Sequence, residues 1–220
     1  TRVPDAEPRL PGSLPPAVLI LAGGIAVAAY QVCFFVGVDR SGVAVGTVVA
    51  LGVAPLATGL LGRALGERVT PRWAVSTLGA VVGVVLLVIG QTAGAGVSAD
   101  VLGLLAAVGA GVSYAGYTIA ARALLLRGES GVRVMALLFT VGALALTPLL
   151  VGTALGWLWT AGGLAMVLWL GLVATGLSYV LFQRGLSGLP AGSVATLSLA
   201  EPVTATALGV AVLAERPGPL

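Results

Sequence analysis

The chain has 220 residues, 58% of them hydrophobic and only 9% charged, with a mean hydropathy of +1.10. A water-soluble domain carries roughly a quarter charged residues, so lipid must be the solvent for most of this chain. The net charge of +3 comes from arginines at the ends of apolar runs, with no lysine anywhere, and this excludes the basic, aromatic-interleaved surface of a nucleic-acid binder.

Residues 1–15 are rich in proline and mixed charge and read as a cytoplasmic loop or tail, without the basic start and small-residue cleavage site of a signal peptide. The missing initiator methionine suggests a chain that starts within a longer protein. A membrane-spanning helix needs ~20 mostly apolar residues. Seven runs qualify, at 17–38, 43–61, 73–90, 101–121, 134–155, 164–183 and 192–214. The expected fold is therefore all-α and integral to the membrane, with seven transmembrane helices. Valine and glycine are abundant in these runs, but backbone in lipid must satisfy its own hydrogen bonds, and helices do so. Gly79 and Gly83 have the spacing of a close helix contact.

Seven crossings place the connections alternately on two sides. The N-terminal side receives nine of the eleven arginines, and the other side only Arg40 and Arg216. That asymmetry assigns the N-terminal segment to the cytoplasm. Trp73, Trp157 and Trp159 stand at span ends and read as belt residues.

The second and seventh spans resemble one another. Gly42-Val43-Ala44-Val45-Gly46-Thr47 matches Gly188-Leu189-Pro190-Ala191-Gly192-Ser193, Pro55 matches Pro202, and Glu67-Arg68 matches Glu215-Arg216. Their separation is five spans, an odd number, so the two cross in opposite directions. An inverted repeat of this kind is characteristic of secondary transporters. It also implies counterparts for three further helices, so residues 17–90 read as the remainder of a first five-helix half and 101–214 as most of a second.

Tyr30-Gln31 with Phe34-Phe35, Pro55, and Gly66-Glu67-Arg68-Val69-Thr70 carry a resemblance, together with Leu199-Ala200-Glu201-Pro202-Val203 and Ala214-Glu215-Arg216. On these motifs the sequence resembles the drug/metabolite transporter superfamily, and within it the EamA-like family. The resemblance implies a ten-helix exporter or importer of amino acids, other metabolites or toxic compounds, with both termini cytoplasmic. This chain would supply the third to ninth helices. The implied setting is the bacterial cytoplasmic membrane.

Glu201 lies near the middle of the seventh span, ~3 Å from the bilayer midplane. An acidic group there costs on the order of 3 kcal/mol to insert and should face the protein interior or a wet cavity. It reads either as a proton or substrate site or as a structural partner of the backbone loosened by Pro202. The other intramembrane polar groups include Tyr30 and Gln31, Ser113, Tyr114, Tyr117 and Thr118, then Ser178, Tyr179 and Gln183. Tyr114 shares a helix face with Tyr117 and with Thr118 and could line a cavity. Interhelical hydrogen bonding accounts for such residues equally well. Pro55 and Pro202 are hinge candidates, with a static kink as the alternative.

Histidine is absent and Cys33 is the single cysteine, so neither a metal centre nor another cofactor is expected. With one intramembrane carboxylate and no activated nucleophile, the chain does not read as an enzyme. The expected function is a secondary transporter, an exporter of small metabolites, amino-acid-like or drug-like solutes, working by alternating access. The expected partners are the lipid bilayer, the solute and a coupling proton or ion. A channel or a passive helical scaffold is the alternative. Oligomeric state is not legible in the sequence.

Overall fold

The computed structural model describes residues 14–64, 66–67, 70–92, 100–204 and 207, with the side chains of 64, 84 and 87–92 excepted. Every regular element among them is helical: α1 (Pro16–Ala64), α2 (Pro71–Thr92), α3 (Val101–Leu126), α4 (Gly131–Leu146), α5 (Ala161–Leu168), α6 (Ser178–Gly188) and α7 (Ala191–Leu197), with short 3-10 turns and one π-helical stretch between them. Arg68, Val69, the 214–216 motif and the N-terminal arginines lie outside the described residues.

Among the described residues, four stretches are long and apolar enough to cross a membrane: Pro16–Arg63, Val101–Leu126, Gly131–Leu150 and Ala161–Gly188. The first combines two of the expected spans. Its helix departs from helical geometry at Gly42 (φ 78°, ψ 154°), a conformation open to glycine because it lacks a Cβ. Neighbouring contacts show that the arms on either side of Gly42 are antiparallel. Along the first arm Gly37, Cys33, Ala26 and Gly23 meet Ala107, Gly109, Gly116 and Ala120 of α3 in descending order. On the second arm Ala50 and Val53 meet Gly111, and Glu67 just beyond the arm meets Arg122, in ascending order. Helix α3 therefore lies against both arms, antiparallel to one and parallel to the other. Small residues make this approach available, since few side chains intervene between the backbones.

Beyond α3, the helix α4 runs alongside the first arm, with Leu138, Val141 and Gly142 against Gly23, Gly24 and Val27. A buried cluster of Leu124, Val134, Leu138 and Leu186 joins α3, α4 and α6 at one end of the bundle. Elsewhere large apolar side chains point outward, as at Phe35 (65% exposed) and Leu172 (66%). Such a surface suits lipid, which has no water to exclude it.

The fifth expected span, 134–155, is shorter as a helix. It runs from Gly131 to Leu146, tightens into a 3-10 turn at Thr147–Leu150, and leaves residues 151–155 outside. Pro148 has no N–H for the helical ladder, while Thr147 Oγ1 donates to the Ala143 carbonyl at 3.0 Å. Gly152 then turns the chain with φ 84°. Trp157 and Trp159 follow in a second 3-10 turn, Trp159 being 87% exposed. The sixth span continues from Ala161 to Gly188, but Trp169–Leu177 is π-helical, a wider winding that periodicity did not anticipate. In the seventh, α7 ends at Leu197 and helical geometry resumes at 200–204.

Trp73 is not a belt residue: its ring is wedged between Gly59 of α1 and Gly192 of α7, where two missing side chains leave a slot of ring width. At Gly79 and Gly83, among the described residues, no atom beyond their own helix lies within 4 Å of where a Cβ would stand.

Candidate functional site

A cavity of about 360 Å³ opens between α1, α3, the π–α6 run and α7. Its polar wall holds Tyr30, Tyr114, Tyr117, Tyr179, Ser198 and Glu201. Helical geometry brings this about: Tyr114 and Tyr117 are one turn apart on α3, and the antiparallel first arm sets Tyr30 opposite them. Ring centroids are 6.3 Å apart for Tyr30 and Tyr114 and 5.0 Å for Tyr114 and Tyr117, with planes inclined at 61° and 73°. Tyr179 and Phe182 extend the cluster from α6, 5.6 Å apart. The hydroxyls pair with one another and with α7: Tyr117 and Tyr179 at 3.5 Å, Tyr114 and Ser198 Oγ at 3.1 Å.

Glu201 lines the cavity from the far side and is itself exposed. It stands just beyond the break in the seventh span. Ser198 N–H donates to the Val194 carbonyl and Glu201 N–H to the Ser198 carbonyl, the latter a three-residue bond. Proline at 202 cannot supply the ordinary four-residue bond to Ser198, so the loosened turn falls at 198–199. No comparable break occurs at Pro55, where the only non-helical geometry in α1 is at Gly42.

The remaining expected polar residues are placed as follows. Ser178 joins the lining, Thr118 is fully buried, and Gln31 stands on the exposed face of α1, one residue and about 100° round the helix from Tyr30. Gln183 is buried away from the cavity, folded over Gly131, with its side-chain N–H donating to the Val180 carbonyl at 3.0 Å. Ser198, Leu51 and Phe182 line the cavity without having been singled out in the sequence. Only for Ser198 was a signal present, one turn before the proline.

Two ion pairs flank the cavity at opposite ends of α3. At one end Arg122 Nε donates to Glu67 Oε1 at 2.6 Å, and a second Arg122 nitrogen donates to the Leu186 carbonyl. Glu67 also accepts from the Ala191 N–H at 3.2 Å, so one carboxylate and one guanidinium join the ends of α1, α3, α6 and α7. The local cause is the end of α1. Gly66 (φ 89°) and Glu67 donate back to the Arg63 and Gly62 carbonyls, a Schellman cap that folds Glu67 over the helix terminus. At the other end Arg40 donates to Asp100 at 3.1 Å, and Asp100 caps α3 through the Leu102 N–H. The Arg40 guanidinium holds this exposed carboxyl below the ordinary carboxylate range.

Among the described residues no group of acidic or cysteine side chains is arranged to hold a metal ion. Residues 101–220 match the family model described as the EamA-like transporter family. The chain is 41% identical over 202 residues to the uncharacterized transporter YwfM of Bacillus subtilis (strain 168), covering 91% of this chain and 67% of that one. A protein of known crystal structure shares the fold with a TM-score of 0.72, over 94% of this chain and 82% of its own, at 22% identity. An all-helical, lipid-facing bundle, a match over more than half the chain and a relative at this identity agree: this multi-pass integral membrane protein belongs to the EamA-like transporter family.

Proposed function

We propose that the chain forms the core of a secondary carrier, exporting small metabolites, amino-acid-like or drug-like solutes across the cytoplasmic membrane by alternating access. The observation that carries this reading is the cavity itself: a mainly apolar, tyrosine-lined space with a few polar groups and one carboxylate, where α1 meets α3, α6 and α7. At about 360 Å³ it falls at the lower end of small-molecule sites, which occupy roughly 300–1,000 Å³. Tyr30, Tyr114, Tyr117 and Tyr179 are its solute-facing groups, and Glu201 its charged one. Gln31 and Gln183 have no part in it.

The flanking ion pairs support alternation. Arg122 lies in α3 and Asp100 caps it, about 33 Å apart at 1.5 Å per residue, and the two pairs tie the ends of α3 to Arg40 beside the Gly42 bend of α1 and to Glu67 beyond its far end. Opening either end requires parting one tie while the other holds. Pro202, next to the broken turn and to Glu201, is the hinge of this scheme.

The test is counterflow in vesicles containing the intact protein. A labelled solute should accumulate transiently against excess unlabelled solute and should saturate, whereas a channel gives flux that is linear in concentration. Glu201→Gln should insert at normal levels and lose transport; undiminished counterflow in that variant removes Glu201 from the pathway.

A further inference from the structure

We propose that the solute is an organic cation, an ammonium carrying an aryl or alkyl group, held on the tyrosine rings with Glu201 as its counter-charge. The proposal rests on the carrier reading and names the chemistry of the same cavity.

Charge is the first argument. The sequence has no lysine or histidine, and among the described residues no arginine lines the cavity, while one carboxylate does. A carboxylate in a medium of low dielectric needs a positive partner or a proton. Since the described residues of the wall supply no cation, a solute can. An anionic solute meets the opposite situation, with a like charge in Glu201 and no guanidinium fork to receive it.

The rings are the second argument. Tyr30, Tyr114 and Tyr117 are inclined to their neighbours at 61° and 73°, so faces and edges alternate around the space instead of stacking as a slab. Inclined aromatic walls are the geometry that receives an ammonium, because each ring face carries a negative quadrupole. The hydroxyls are largely engaged with one another and with Ser198. Recognition therefore falls to the ring faces more than to free phenolic donors. The modest volume suits one aromatic ammonium and not an extended amphiphile.

The experiment measures equilibrium binding to the intact protein of three probes of similar size: phenyltrimethylammonium, its uncharged isostere tert-butylbenzene, and benzoate. The cation should bind about tenfold or more tightly than the isostere, and benzoate least. Glu201→Gln should abolish the preference, and Glu201→Asp should restore part of it. Tyr30→Leu should weaken cation binding more than Tyr30→Phe, which keeps the ring. Equal affinity for cation and isostere, or preference for benzoate, overturns the proposal on the unmodified protein alone, whatever the folding of the variants. Counterflow of zwitterionic or neutral solutes without counterflow of the cation ends the cation assignment and leaves the carrier standing. Absence of saturable counterflow for every solute ends both.

Discussion

Glu67 and Arg122 illustrate what single residues contribute. Their side chains are 13% and 12% exposed and join four helix ends. Removing one member leaves the other charge without its partner, so Arg122→Leu should lower stability by about 3 kcal/mol. Glu129 and Arg133 make the contrasting case, 3.8 Å apart with 38% and 72% exposure, and Arg133→Leu should cost no more than about 0.5 kcal/mol. Thermal unfolding in detergent compares the two, and equal losses would refute the ranking. In the sequence, Glu67 stands out only as part of the motif Gly66-Glu67-Arg68 at the end of the second span. Its partner lies 55 residues away, a distance that only the packing of α1 on α3 closes.

At the scale of elements, the close approach of α1 and α3 depends on particular glycines. A Cβ at Gly37 would stand 3.0 Å from the Ala107 nitrogen and 3.2 Å from its Cα, both backbone atoms that cannot rotate away. Gly37→Val should therefore cost about 1–3 kcal/mol through overpacking. Gly79→Ala, with open space beside it, should be neutral or stabilising by up to about 1 kcal/mol through helix propensity. Melting of the two variants checks the pair, and equal destabilisation would overturn the packing account. Spacing alone pointed to Gly79 and Gly83, because a small-residue interval records that a helix could be approached, not which helix arrives. The π-helical stretch and the early end of α4 escaped for a related reason: hydropathy is the same for α, 3-10 and π winding.

For the molecule as a whole, the expected topology rests on where the arginines fall in the sequence. Reporters fused after residues 129 and 155 should report opposite compartments, the first cytoplasmic, and agreement between them would refute the orientation. Gly59 of the second arm of α1 lies beside Gly192 of α7, and Glu67 accepts from the Ala191 N–H. Composition and the matched motifs were enough to establish a helical, lipid-embedded member of a transporter family, since the requirement that apolar runs of span length close their own hydrogen bonds is local to each run. Tyr30, Tyr114, Tyr117, Tyr179 and Glu201 could be picked out one by one, each as a polar group in an apolar run. That they share one cavity, and that Gln31 and Gln183 do not, was decided by the tertiary structure. Helix rotation and crossing depend on side chains far apart in the chain, and one residue of rotation, about 100°, turns a group from the cavity to the outside.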